Sequence, residues 1–245
     1  MCKNSLYTLG AFFMIVGIFG DSFAEPVFVE NGWPNLLHSR YSQQIKNYAF
    51  NCTSTFWSYR QLLLHINDID VILFTISGAG RLYHPNLDYR EVCSPFTLEH
   101  VLKDLNLSTN KRHVYKAAED YYLYLDNAEF NVFVQGQIVK EVQNLAQKHN
   151  KKLILIPAFD DGVQYQTIFK VCLIEVMRKE IQTNFGDLTY RTEKITTRAN
   201  HLSKENNEIL AFKINEILNN TIDTVELTDF VFTKYSDPGM YWEIN

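Results

Sequence analysis

Three short apolar runs alternate along this chain with longer stretches that mix polar and apolar residues. The runs are residues 12–19, 69–76 and 152–157, and they are rich in β-branched and aromatic side chains. Short apolar runs of this kind are typical of strands that are buried on both faces of a parallel sheet. Stretches with helical character lie between and after the runs, at residues 31–42, 54–66, 117–150, 167–181 and 202–218.

Strands that alternate with helices predict an α/β fold in which helices cover both faces of a parallel sheet. The 245 residues contain no repeat, low-complexity tract or long linker, so we expect a single domain over residues 1–245. We expect the tyrosine-rich region near 97–150 to be a helical insertion. Residues 220–245 are expected to form a C-terminal extension, in which the apolar and polar alternation at 225–232 suits an edge strand or a lid.

Composition and charge exclude several classes of protein. Hydrophobic residues make up 46% of the chain and charged residues 21%, which is typical of a globular protein. The 23 Lys and Arg against 28 Asp and Glu give a net charge of −5 without a basic block, so we expect no nucleic-acid partner. The four cysteines form no C-x-x-C pair, and no two histidines have the H-x-x-x-H spacing. We therefore expect neither a metal site nor a cofactor.

The first apolar run allows two interpretations. The uncharged stretch at residues 6–20 is shorter than the roughly 20 apolar residues that a membrane-spanning helix needs, so we expect no membrane span. One interpretation is a secretory signal peptide cleaved after Ala24, because a lysine, an apolar stretch and Ser22-Phe23-Ala24 suit such a signal. The other is a buried strand that ends at Gly20-Asp21. The run alone does not decide between them.

Open parallel sheets bind ligands at the carboxyl ends of their strands, so the loops after the strands are where we expect chemistry. The loop Gly20-Asp21-Ser22-Phe23 offers a serine hydroxyl and a backbone N–H for a developing oxyanion, although most such triplets are simple turns. The loop 77–81 lacks the glycine spacing of a phosphate loop and suits either anion binding or a tight turn. Asn200-His201-Leu202-Ser203 precedes the last helix, where Ser203 is a plausible N-cap and the His201 imidazole is available as a base.

In this chain order the loops resemble the SGNH or GDSL hydrolases. The block Gly20-Asp21-Ser22-Phe23 is similar to the nucleophile block of that family, and Asn200-His201-Leu202-Ser203 is similar to its histidine block. The resemblance runs in block order from residue 12 to residue 218. It implies a flavodoxin-like three-layer α/β/α sandwich with a central parallel sheet, in which Ser22 is the nucleophile and His201 the base. It also favours the strand interpretation and a cytoplasmic location over secretion, because cleavage after Ala24 would remove Ser22.

The middle blocks depart from the family pattern. In the second block, Cys52 stands at the position of a glycine whose N–H contributes to the oxyanion hole. The third block is normally Gly-x-Asn-Asp, and here Gly80 replaces the asparagine that donates a hydrogen bond. The aspartate expected three residues before the histidine is Arg198, while Thr196, Asp187 and Glu193 are nearby alternatives. The resemblance thus implies an oxyanion hole of Ser22, Cys52 and Gly80, and we expect support from Asp21, Arg81 and Asn200.

The function implied by the resemblance is that of a serine hydrolase that cleaves or transfers acyl esters. Its substrate would be a small-molecule or carbohydrate ester, for example one with acetyl groups on the sugar. Two alternatives stay open. The altered third block and the missing aspartate favour a catalytically weak SGNH-like binding domain, and the parallel-sheet pattern is also compatible with a flavodoxin-like nucleotide-binding module.

Overall fold

The computed structural model describes residues 14–26, 32–83, 94–103, 108–163, 165–185 and 201–232. These ranges contain four strands and seven α-helices. In chain order they are β1 (Ile15–Phe19), α1 (Trp33–Tyr41), β2 (Gln44–Asn47), α2 (Thr55–His65), β3 (Val71–Ile76), α3 (Pro95–Leu102), α4 (Thr109–Tyr124), α5 (Ala128–Lys148), β4 (Lys152–Pro157), α6 (Leu173–Phe185) and α7 (Lys204–Leu218).

All four strands are parallel and lie in the order β2-β1-β3-β4. The three apolar runs form β1, β3 and β4, as the hydrophobic pattern predicts. No apolar run marks β2, because its residues Gln44–Asn47 alternate between exposed and half-buried. Since parallel strands end at the same edge of the sheet, the loops after β1, β2 and β3 lie side by side.

Helices cover both faces of the sheet. On one face, Val16 and Ile18 of β1 share a hydrophobic core with buried residues of α1, α6 and α7, such as Trp33. On the other face, Phe19 packs in a core with Leu62 of α2 and with apolar residues of α5. Burial of each such large side chain contributes about 1.5–3 kcal/mol relative to exposure. The fold is therefore an α/β fold with a parallel sheet between two helical layers, and the predicted fold class is confirmed.

The prediction of one long helix at 117–150 is wrong, because two helices occupy this region. The chain leaves α4 after Tyr124 and begins α5 at Ala128, because the Asn127 side chain caps the new helix by accepting a hydrogen bond from the Phe130 N–H at 2.9 Å. α5 crosses over the sheet between β3 and β4, whereas α3 and α4 pack on each other around Leu98 and Tyr115. The extent of an insertion near 97–150 stays a prediction.

Two other boundaries differ from the hydrophobic pattern. α6 begins at Leu173, because the preceding residues run irregularly and include a bridge between Phe169 and Val225. The alternating segment at 225–232 makes this bridge and a 3₁₀ turn at Leu227–Asp229, and forms no strand within the described part of the extension. Among the described residues, no helix is long and apolar enough to cross a membrane.

Candidate active site

Ser22 and His201 meet at the carboxyl edge of the sheet. Ser22 follows β1 and His201 precedes α7, and the fold brings Ser22 Oγ within 2.7 Å of His201 Nε2 although 179 residues separate them in the chain. This distance lies in the range of a nucleophile hydrogen-bonded to its general base. The geometry can therefore pass the serine proton to the imidazole.

The turn that carries Ser22 is held by its own backbone and by Asp21. The carbonyl oxygen of Asp21 accepts hydrogen bonds from the N–H groups of Ala24 and Glu25, each at 2.9 Å. Its carboxylate accepts another from the Phe23 N–H at 3.1 Å. A Cβ at Gly20 would lie only 2.6 Å from the Cβ of Thr75, so this close approach requires glycine at the end of β1.

His201 has a backbone φ of 61°, in the left-handed region that non-glycine residues rarely adopt. The structure around it compensates for this conformation. Ser203 caps α7 by accepting a hydrogen bond from the Asn206 N–H at 3.1 Å, as the sequence predicts. The buried carboxylate of Glu180 accepts the Ser203 N–H at 3.1 and 3.2 Å, and it also accepts a hydrogen bond from the Asn206 side chain.

A chain of hydrogen bonds joins the Ser22 turn to the His201 loop. The Trp33 indole donates to the Phe23 carbonyl at 2.6 Å, and the Trp33 backbone N–H donates to Asn207 Oδ1 at 2.9 Å. The Asn207 amide in turn donates to the Leu202 carbonyl at 3.1 Å. The centroids of the Phe23 and His201 rings are also 4.8 Å apart. These contacts fix the two loops relative to each other.

A buried ion pair lies beneath the nucleophile turn. Arg81 Nη1 is 2.8 Å from Asp21 Oδ2, with side-chain exposures of 15% and 0% respectively. Arg81 also donates to the Thr53 carbonyl at 3.0 Å. The Ser77 hydroxyl lies 3.0 Å from Asp21 Oδ2 and 2.7 Å from the Thr53 carbonyl. The pair therefore connects the loops that follow β1, β2 and β3.

The structure places two of the three expected oxyanion donors differently. Cys52 has a φ of 60°, a conformation that favours glycine, and its loop contacts the Ser22 turn through hydrogen bonds from Phe50 N–H and Thr53 Oγ1 to the Gly20 carbonyl, at 3.0 and 3.1 Å. Gly80 is exposed, and a Cβ there would face the Asn131 side chain of α5 at 3.8 Å. The loop of Cys52 is thus adjacent to the Ser22 turn, whereas Gly80 faces α5.

One of the three predicted supporting residues, and the region of the missing aspartate, lie outside the described residues. Asn200 lies outside the described residues, as do Arg198 and the alternatives Thr196, Asp187 and Glu193. Within the described part of the chain, no cluster of His, Cys, Asp and Glu could hold a metal ion.

A second polar cluster supports the loop after β3 from the side of α5. Asp161 accepts hydrogen bonds from the Ala79 N–H at 3.2 Å and from Gln135 Nε2 at 2.8 Å. Burial raises the pKa of the Asp161 carboxyl above its usual range, and these two donors only partly oppose the shift. Burial also raises the pKa of Tyr165, which lies 2.9 Å from Gln135 Nε2, to about 12.

Sequence reasoning did not identify Glu180, Asn207, Trp33 or Gln135 as part of this site. Glu180, Asn207 and Gln135 are polar residues of amphipathic helices, and a polar residue in such a helix usually faces solvent. Trp33 is apolar, and its position at the start of α1 predicts only packing. The Asp126-Asn127 pair before α5 is a helix-start signal that would have corrected the helix boundary. No local signal marks Glu180, because its role depends on a contact with Ser203 that only the fold creates.

No protein-family model matches the chain, and no curated protein matches it. Solved structures that are similar include one described as a lipolytic protein of the G-D-S-L family from Desulfitobacterium hafniense DCB-2, with 12% identity, a TM-score of 0.33, and coverage of 83% of this chain and 99% of that one. A lipase/acylhydrolase from Enterococcus faecalis has 15% identity, a TM-score of 0.32 and coverage of 84% and 96%. The acetyl xylan esterase AlAXEase has 14% identity, a TM-score of 0.35 and coverage of 85% and 100%.

Proposed function

We propose that this protein is an SGNH-type serine hydrolase that cleaves or transfers acyl esters, with Ser22 as the nucleophile and His201 as the general base. The observation that carries the proposal is the 2.7 Å distance between Ser22 Oγ and His201 Nε2. A serine hydroxyl is a weak nucleophile until an adjacent base accepts its proton. The substrate is a small-molecule or carbohydrate ester.

The reaction proceeds in two acyl-transfer steps. Ser22 Oγ attacks the ester carbonyl carbon while His201 Nε2 takes the hydroxyl proton, and a tetrahedral intermediate forms. His201 then donates this proton to the ester oxygen of the leaving alcohol. The bond between that oxygen and the carbonyl carbon breaks, and the acyl group stays on Ser22. Water attacks the acyl-enzyme with His201 again as the base, and the carboxylic acid leaves as Ser22 regains its proton.

The oxyanion of each intermediate requires hydrogen-bond donors. The backbone N–H groups of Ser22 and Cys52 are the donors that we propose, and each is worth on the order of 3 kcal/mol in related chemistry. Gly80 is not among them, because it is exposed and faces α5. The bonds from the loop after β2 to the Gly20 carbonyl support the position of the Cys52 N–H. The Asp21–Arg81 pair supports the same arrangement, because it holds the Ser22 turn against Thr53.

The proposed base is oriented without the usual aspartate, since Arg198 occupies that position. The contacts of Glu180 and Asn207 with the residues after His201 hold its loop instead. We therefore propose a Ser22–His201 dyad whose imidazole is positioned by the backbone of the 201–203 loop, with Asn200 as a further support.

Hydrolysis of p-nitrophenyl acetate tests this function. We expect Ser22→Ala and His201→Ala each to reduce turnover by about a thousandfold or more, because either change removes the dyad. Ser39→Ala is the matched control, since Ser39 is an exposed serine of α1, and it should turn over like the unmodified protein. Equal turnover by Ser22→Ala and the unmodified protein would contradict the proposal.

A further inference from the structure

A cavity of about 210 Å³ lies between the start of α2, the loop after β3 and α5. Its walls come from the start of α2, the loop after β3, the end of α4 and the first turns of α5. Arg81 lines this cavity, and the same guanidinium forms the ion pair with Asp21, the residue before Ser22. One side chain therefore separates the cavity from the turn that carries the nucleophile.

The polar groups in the wall are bonded to the protein. Arg81 is neutralised by Asp21 and donates to the Thr53 carbonyl. Thr55 Oγ1 lies 3.1 Å from Gln135 Oε1, and Gln135 Nε2 donates to Asp161. A sugar in this cavity would lose water from its hydroxyl groups while these wall groups are already engaged, which is unfavourable. The wall therefore favours an apolar occupant.

The mouth of the cavity is aromatic. Phe56 and Phe130 line it and are 40% and 60% exposed. Tyr83 packs edge-on against Phe56 with 5.2 Å between the ring centroids, and Tyr121 also lines the wall. Aromatic rings attract other rings in offset or edge-on geometry. Large exposed apolar side chains that cluster in this way are typical of a ligand-binding surface.

We infer that this cavity binds an aryl group of the ester substrate, on either its acyl or its alcohol side. The inference rests on the proposed function for its connection to Ser22. The volume suits the ligand, because a cavity of about 150 Å³ is known to hold benzene, and 210 Å³ accommodates a ring with a few attached atoms. The aryl group anchors the substrate while its ester carbonyl reaches Ser22.

Three esters with alkyl-type leaving groups test the inference in a pH-stat: ethyl acetate, benzyl acetate and ethyl phenylacetate. We expect kcat/KM for at least one aryl ester to exceed that for ethyl acetate by about tenfold or more. Val134→Phe fills the cavity from α5, so this ratio should fall to about one. Val114→Phe is the matched control, because Val114 is exposed on α4 and does not line the cavity, and it should keep the ratio.

The outcomes separate this inference from the proposed function. If the unmodified protein hydrolyses the esters without an aryl preference, or if the preference survives both Val134→Phe and Ile138→Phe, the cavity assignment is wrong and the hydrolase proposal stands. If none of the three esters is hydrolysed, hydrolysis of p-nitrophenyl acetate decides the hydrolase proposal. In that case, NMR titration with benzyl alcohol decides the cavity assignment: binding that Val134→Phe removes supports it, and absence of binding overturns it.

Discussion

Removal of the Arg81 guanidinium should destabilise the protein strongly, because it leaves a carboxylate buried without its charge partner. The Asp21 side chain is fully buried, and Arg81 is its ion-pair partner at 2.8 Å. Breaking a buried pair from one side costs about 3–5 kcal/mol. In the Arg81→Met variant, Asp21 keeps its hydrogen bond from the Phe23 N–H. We therefore expect the free energy of unfolding to fall by an amount near the lower end of this range, about 3 kcal/mol. At about 2–4 °C per kcal/mol, the melting temperature should fall by about 6–12 °C.

A double variant separates this effect from loss of packing. In Asp21→Asn/Arg81→Met neither charge remains buried, so the double variant should be more stable than Arg81→Met alone. Arg40→Met is the matched control, because Arg40 pairs with Glu208 at 2.6 Å on the surface, where such a pair contributes about 0–1 kcal/mol. Urea unfolding followed by tryptophan fluorescence measures all four proteins. A loss below about 1 kcal/mol in Arg81→Met, or a double variant less stable than that single variant, would refute the reasoning.

Three further predictions concern the half-buried Asp161 and Cys172 and the buried hydroxyl of Thr75. The raised pKa of Asp161 means that its ionisation weakens the folded state as pH rises above the unfolded pKa of about 4. Urea unfolding should therefore show that Asp161→Asn gains stability relative to the unmodified protein between about pH 3 and pH 7. A difference in unfolding free energy that stays constant over this range would contradict the prediction. Thr75 Oγ1 is buried without a hydrogen-bond partner in the described part of the chain, so Thr75→Val should raise the free energy of unfolding by about 1 kcal/mol, and a loss would count against it. Burial and nearby acidic groups raise the pKa of Cys172 to about 11. Mass spectrometry should therefore show slow alkylation of Cys172 by iodoacetamide at about pH 8. Alkylation as fast as that of a small thiol would be inconsistent with this environment.

The parts of the fold that are visible in the sequence are those with a local signature. β1, β3 and β4 are buried on both faces, so their residues form continuous apolar runs. β2 lacks such a run because its residues alternate between exposed and half-buried. The break between α4 and α5 depends on one capping side chain, Asn127. The apolar periodicity continues through this position, so the hydrophobic pattern does not reveal the break.

The same distinction applies to the candidate site. Ser22 and His201 lie in short motifs at strand and helix ends, which can be recognised one at a time. The ion pair of Asp21 with Arg81 follows from the strand order, since only adjacent β1 and β3 bring their loops together. Contacts such as that between Glu180 and Ser203 depend on how α6 packs beside α7, and no spacing in the sequence encodes that packing.

Covalent labelling by a fluorophosphonate tests the central claim most directly, because the reagent reacts with a serine whose hydroxyl is activated by a base. Peptide mass spectrometry of the unmodified protein should find the phosphonyl group on Ser22, and His201→Ala should abolish or greatly slow this labelling. The account would be contradicted if Ser22 remained unlabelled in the folded protein, or if it reacted equally fast in His201→Ala.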